Sequence, residues 1–216
     1  MKNGFDRIKR MYEESYSLNG DSPASLLTPK GRNDFRFRAI NSLVTRPGVR
    51  VLDYGCGLGY LYDFLLKSGS KVCYTGVDMI PEFVNVCRTK HPEVDFRQIE
   101  PDSIIKGNFD VVFASGVFNI RTHANPRDSR KFALERIETL YKLSGEALVC
   151  DFLSSFVDFQ HPDAQHFSAG EIAEFCAQRL GRRFQLRHDL LPYEMTLVAW
   201  KKSEIKRPEN FFEADL

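Results

Sequence analysis

Residues 51–61 read Val51-Leu52-Asp53-Tyr54-Gly55-Cys56-Gly57-Leu58-Gly59-Tyr60-Leu61. The first four form a short strand-like run that ends abruptly at glycines in alternate positions. Beyond them Leu58, Leu61, Tyr62, Leu65 and Leu66 recur at helical spacing until Gly69 stops the pattern. The stretch is a strand, a glycine turn and a helix. Glycine is required where backbone bends sharply and approaches a ligand with no Cβ between them. The helix start adds unpaired N–H groups and the positive end of its dipole. Such a turn is suited to a nucleotide-like ligand.

Spacing narrows the choice. A dinucleotide turn reads G-x-G-x-x-G/A. Here it reads G-x-G-x-G, and Tyr60 stands where the last small residue is wanted, which argues against NAD or FAD. Asp53, two residues before the first glycine, completes D-x-G-x-G-x-G. This resembles motif I of the class I S-adenosylmethionine (SAM) dependent methyltransferases. A second strand-like run, Val72 to Val77, ends on Asp78, roughly twenty residues past the glycines, where a carboxylate accepts hydrogen bonds from ribose hydroxyls. Pro81 then opens a helix, as a residue without an N–H can.

The resemblance implies a set of roles. Asp53, Gly55, Gly57 and Gly59 underlie the methionine end of SAM, Asp78 holds the ribose, and Met79 packs near the adenine. The acid after the third strand meets the adenine amino group; Glu100 fits best, with Asp102 beside it. Ser115-Gly116-Val117-Phe118-Asn119 follows the fourth strand. The family runs this segment past the SAM and into the substrate pocket, which places Ser115 on the cofactor and Asn119 on the substrate. The segment is not the [DNS]-P-P-[YF] box of enzymes that methylate base amino groups. Segments around Ser22-Pro23, Lys30-Gly31-Arg32 and 187–194 extend the likeness to small bacterial and phage members, a group that brings no firm substrate with it.

The chain has 216 residues, enough for one α/β domain, and its 43% hydrophobic and 27% charged residues are those of a soluble globular protein. A net charge of +1 points to no nucleic-acid or polyanion partner. The charge is uneven: residues 1–50 carry ten Lys/Arg against five Asp/Glu, leaving twenty against twenty-four in the rest. That excess reads either as a basic lid over an anionic ligand or as a solvated face. The five cysteines form no C-x-x-C; Cys73, Cys87, Cys150 and Cys176 read as buried hydrophobes and Cys56 as reachable in the turn. No membrane span or signal-peptide core is visible, so the expected location is the cytoplasm.

The chain in order gives a helix over 1–20, with Phe5, Ile8, Met11, Tyr12 and Tyr16 on one face, and a second helix from Gly31 to Val44 with Phe35, Ala39, Ile40 and Leu43 inward. Arg32 and Arg36 fall at the edge of that stripe. A half-buried arginine needs an anion, either a protein carboxylate or that of SAM or a substrate. Strands over 50–54, 71–77, 94–98, 109–114 and 146–152 alternate with helices over 58–68, 81–90 and 128–143, which implies a parallel sheet covered on both faces. Ser168-Ala169-Gly170-Glu171 is a capping box for a further helix ending at Gly181. Strands 183–190 and 195–201 are joined too closely for a crossover and must be antiparallel. The expected fold is α/β and Rossmann-like, and the strand order 3-2-1-4-5-7-6 is implied by the resemblance alone. The whole of 1–216 reads as one domain: 1–45 a helical lid with Lys30 or Arg36 facing the site, 50–202 the SAM-binding core, 203–216 a tail in which Phe211 and Phe212 dock on the body or a second subunit.

The acceptor pocket is expected where the loops 119–125, 153–166 and 192–194 meet, roofed by Tyr12 and Tyr16, with Tyr193 in contact. Its Asn, His, Tyr, Ser and Glu side chains suit a small polar metabolite methylated on oxygen or nitrogen. His123, His166 and Glu194 are the expected proton acceptors. His188 reads as a core histidine, and no metal is expected. The alternatives are an RNA or protein methyltransferase, or a regulator that binds SAM without turnover. The expected partner is a small molecule, with no nucleic acid or membrane, in a monomer or homodimer.

Overall fold

A computed structural model describes residues 2–28 and 31–201. The elements in order are α1 (Lys2–Asn19), α2 (Arg32–Phe37), β1 (Val49–Tyr54), α3 (Tyr60–Lys67), β2 (Val72–Asp78), α4 (Pro81–Lys90), β3 (Asp95–Gln98), β4 (Phe109–Ala114), α5 (Pro126–Leu143), β5 (Ser144–Ser154), β6 (His166–Phe167), α6 (Ala169–Phe175), β7 (Phe184–Leu191) and β8 (Glu194–Trp200). The sheet runs β3-β2-β1-β4-β5-β8-β7. The first five strands are parallel, and β8 and β7 are antiparallel. With the two-residue β6 set aside, this is the order 3-2-1-4-5-7-6 that the resemblance implied.

Alternating side chains of the central strands feed two apolar layers. Leu52, Val112 and Leu148 face α5 and α6, meeting Ile137, Leu140 and Ile172. Val51, Val111 and Val149 face the other way, toward Leu61, Leu65, Val84 and Ile40. Each such buried side chain contributes about 1.5–3 kcal/mol. Strand order reverses around β1, whose neighbours are β2 and β4. The crevice at that reversal is where open α/β sheets bind ligands. Among the described residues no helix is long and apolar enough to cross a membrane.

Four local readings need correction. The 31–44 helix is α only as far as Phe37 and tightens to a 3-10 turn over Arg38–Leu43. Three residues per turn instead of 3.6 rotates the faces. Phe35 therefore ends exposed, its ring beneath Arg38, while Arg36 and Phe37 are buried. Cys56, expected to be reachable, is buried with Cys87 nearby, and Cys73 near the start of β2 is the exposed one. His188 is exposed rather than in the core, and its ring touches Phe156. Finally, β6 pairs with β5 in parallel, a two-residue strand too short to show a period in the sequence. Lys30 and the 203–216 tail lie outside the described residues.

Candidate active site

A cavity of about 700 Å³ opens over the carboxyl ends of β1, β2 and β4. Its floor is the glycine turn. Gly55 and Gly57 both have positive φ, +79° and +54°. A Cβ on Gly55 would stand 2.5 Å from Val117 Cγ2, and one on Gly57 2.9 Å from Leu26 Cδ2. Gly59, with φ +80°, closes the turn as the cap of α3. No other residue both adopts that backbone and leaves room above it.

Asp78 sits at the end of β2, 8% exposed. The Gly57 N–H donates to Oδ2 at 2.8 Å and the Ile80 N–H to Oδ1 at 2.9 Å. Burial pushes its carboxyl above the ordinary carboxylate range, and these amides pull it back. Each oxygen keeps a second lone pair for a ligand hydroxyl. Met79, Ile80, Phe83, Ile99 and Pro101 continue the wall. Arg136 of α5 also lines it, anchored on the carbonyl oxygens of Pro101 and Ser103. An arginine inside a long surface helix carries no sequence signal, so Arg136 is absent from the expected set. Glu100, expected near the adenine, is exposed and outside the cavity lining. Asp102 is exposed too.

Asp53, 3% exposed, accepts a hydrogen bond from the Tyr74 hydroxyl and lines the cavity. Burial pushes its carboxyl up to about 7, Tyr74 pulls it down, and Asp78 pushes it up. The ordinary value is 3.8, so the folded state holds this proton more tightly than the unfolded chain. The resulting stabilisation is fully present below about pH 4 and is lost as the pH rises through about 7. Ligand-free protein is therefore expected to lose stability across that window, and Asp53→Asn to flatten the loss. Urea unfolding at several pH values measures it; parallel curves for the two proteins would mean that Asp53 is already ionised in acid.

On the far side stand charged groups from three elements. Arg36 of α2 donates from Nε and Nη2 to Glu194 of β8, at 2.6 and 2.8 Å. Arg32 reaches the same carboxylate at 3.3 Å, and Arg36 Nε lies 3.9 Å from Asp151 of β5. Burial opposes the charge on Arg36, but Asp151 and Glu194 hold its pKa above the ordinary value. Ser115 Oγ donates to Asp151 Oδ2, and the Gly116 N–H donates to Oδ1 at 2.8 Å. Arg36 thus has protein carboxylates as partners, one of the two possibilities its half-buried position raised. Three more arginines of residues 1–50 also pair with protein carboxylates, Arg7 on Asp163, Arg46 on Glu146 and Arg50 on Asp110.

The roof is α1. Phe5, Ile8, Met11 and Tyr12 face the cavity. Tyr12 and Tyr16 both meet the Phe83 ring edge-on, but Tyr16 is outside the lining. Burial pushes the Tyr12 hydroxyl up to about 12, Asp78 adding to it. The helix lies tight on the loop after β4, since a Cβ on Gly4 would overlap the Thr122 carbonyl. That loop is zipped to the one after β5 by Arg121 N to Asp163 O and Gln165 N to Asn119 O. Asn119 lines the cavity and its Oδ1 accepts from the Leu153 N–H.

The expected proton acceptors are placed differently. The His123 ring is held between Phe5 and Phe132 with Nδ1 on Thr122 Oγ1, and it is outside the lining. His166 pairs with β5 through Ser154 O and is also outside it. Glu194 faces the cavity, with both oxygens on arginines. Tyr193 is exposed at the hairpin tip, away from the lining. Beyond the glycine turn Phe5, Ile8, Met11, Leu26, Phe118 and Phe132 give the wall more apolar surface than expected, while Asn119, Thr122, His161, Asp163, Gln165 and Glu194 come to it from the loops expected to meet there.

Comparison with known proteins agrees with this geometry. A family model described as a methyltransferase domain matches residues 45–180. A protein of Mycobacterium tuberculosis named as a methyltransferase is 27% identical over 153 residues, covering 70% of this chain and 92% of that one. A ubiquinone biosynthesis O-methyltransferase of Actinobacillus pleuropneumoniae is 33% identical over 120 residues, which span 50% of this chain and about half (48%) of that relative. The crystal structure of magnesium protoporphyrin IX methyltransferase from Synechocystis, with bound S-adenosylhomocysteine (SAH), superimposes with a TM-score of 0.59 at 20% identity, covering 93% of this chain and 95% of that one. With the glycine turn, the acid after β2 and the strand order all in place, the chain belongs to the class I SAM-dependent methyltransferases.

Proposed function

We propose that this enzyme methylates an oxygen or nitrogen of a small molecule whose body is largely apolar. The observation that carries the reading is the cavity itself. At about 700 Å³ it lies within the roughly 300–1,000 Å³ typical of small-molecule sites. Phe5, Ile8, Met11 and Tyr12 of α1 lie along one side of it, which favours a small molecule over a folded RNA or protein. The apolar share of the wall favours an acceptor with a hydrophobic body and a single reacting hydroxyl or amine. The O-methylation named for the Actinobacillus relative supports oxygen as the acceptor atom. On this reading 1–216 is one methyltransferase domain with 1–45 as its cover, acting in the cytoplasm as a monomer or homodimer.

SAM supplies an activated methyl on a sulfonium, a leaving group that needs no acid. The chain's part is to align the acceptor and deal with its proton. The glycine turn and Asp78 fix the donor end, and the loops after β4 and β5 fix the acceptor end.

Methyl-labelled SAM incubated with an extract of the source cells, separated into small-molecule, RNA and protein fractions, is the test. Label is expected in the small-molecule fraction, in material that partitions into organic solvent. Label in RNA or protein would overturn the reading, as would SAH binding with no transfer to any fraction.

A further inference from the structure

We propose that Ser115 takes the acceptor's proton during transfer and passes its own to Asp151, so that these two residues form the base of the reaction. The inference rests on the small-molecule reading above and adds the residues that serve it. Ser115 lines the cavity immediately after β4. Its segment abuts the glycine turn, for the Cβ that Gly55 lacks would collide with Val117. Ser115 is therefore beside the donor end and open to an acceptor. Its hydroxyl is already aimed, since Oγ donates to Asp151 Oδ2. That leaves the Oγ lone pairs for an incoming O–H or N–H. Asp151 is 2% exposed and stands behind Ser115, outside the lining. The Gly116 N–H fixes its other oxygen.

The remaining candidates are engaged elsewhere. Asp53 and His161 also line the cavity; Asp53 accepts from the Tyr74 hydroxyl and His161 Nδ1 accepts from the Asp163 N–H. Both Glu194 oxygens are on Arg36, and Arg32 adds a further charge to them. His123 and His166 are outside the lining, and Tyr12 holds its own proton too tightly to act as a base. Asp151 meets Ser115 from the β4 end, Arg36 from α2 and Glu194 from β8. Burial and Glu194 raise its proton affinity, while Arg36, Ser115 and Gly116 moderate it. A carboxylate so placed accepts a proton more readily than one in water.

The step balances. The acceptor's lone pair forms the new bond to carbon as the S–C bond breaks and its electron pair stays on sulfur. The acceptor's proton moves to Ser115 Oγ, and the Ser115 proton moves to Asp151 Oδ2. Positive charge lost from sulfur reappears as one bound proton, released to solvent when product leaves. Ser115 is the catalytic residue, and Asp151 acts through it.

The test uses the full chain, methyl-labelled SAM and the small-molecule extract. Asp151→Asn is expected to lower kcat by about 10²–10⁴ while SAH affinity, read by calorimetry, stays within about threefold. Without the base, turnover depends on the acceptor's own ionised fraction. The variant's rate should then climb about tenfold per pH unit below the acceptor pKa, more steeply than wild type. Should Asp151→Asn not fold, Ser115→Ala is expected to show the same loss and Ser115→Thr, which keeps the hydroxyl, to restore most of it. Near-normal turnover in Asp151→Asn or Ser115→Ala, or equal pH slopes, would overturn the relay while leaving the methyltransferase reading intact. No transfer by wild type would instead overturn the reading on which it rests.

Discussion

Replacing Asp78 with alanine is expected to weaken SAH binding by about 2–4 kcal/mol, roughly 30- to 1,000-fold, in calorimetry on the folded protein. Two losses combine. The ligand loses a carboxylate that accepts charge-assisted hydrogen bonds. The glycine turn also loses its tie, because Asp78 holds the Gly57 and Ile80 amides. Asp78→Asn separates the two: its amide oxygen still accepts from one backbone N–H, but the charge is gone, so an intermediate loss is expected. An affinity for SAH unchanged in both variants would remove Asp78 from the site.

The second large effect concerns stability. Arg36→Met is expected to cost about 3–5 kcal/mol in urea unfolding near neutral pH, because Asp151 stays buried without its cation and Glu194 keeps only Arg32. Glu194→Gln is expected to cost less, since Arg36 retains Asp151 at 3.9 Å. The double variant Arg36→Met/Glu194→Met should recover only the Glu194 share of the loss, since Asp151 stays buried without its cation. A single Arg36→Met variant within about 1 kcal/mol of wild type would mean that the pair is solvated and worth no more than a surface ion pair.

The fold was legible because its signals are local. Doubly buried strands show as unbroken runs of Val, Leu and Phe, and the glycines mark the one turn where the chain must bend under a ligand. The antiparallel hairpin followed from a link too short for anything else. The meeting of Gly55, Gly57 and Asp78 on one cavity was legible for the same reason, since they announce themselves by spacing. The opposite wall was not. Whether Arg36 points inward depends on where an α turn tightens to 3-10, a choice made by packing rather than by residue type. Glu194 and Asp151 are ordinary acids until β5, β8 and α2 bring them round one guanidinium. His123 follows β4 closely, and only the rings of Phe5 and Phe132 decide which way it turns.

The Arg36–Glu194 pair spans 158 residues of sequence. On a ribosome adding roughly 5–20 residues per second, Arg36 is made about 8–32 s before its partner. Through that interval the glycine turn and the parallel strands beside it can form, but α2 has no buried anion on β8 to seat against. The Arg36–Glu194 side of the cavity is therefore the last to be assembled, and a chain released before the hairpin would carry the glycine turn without the wall opposite it.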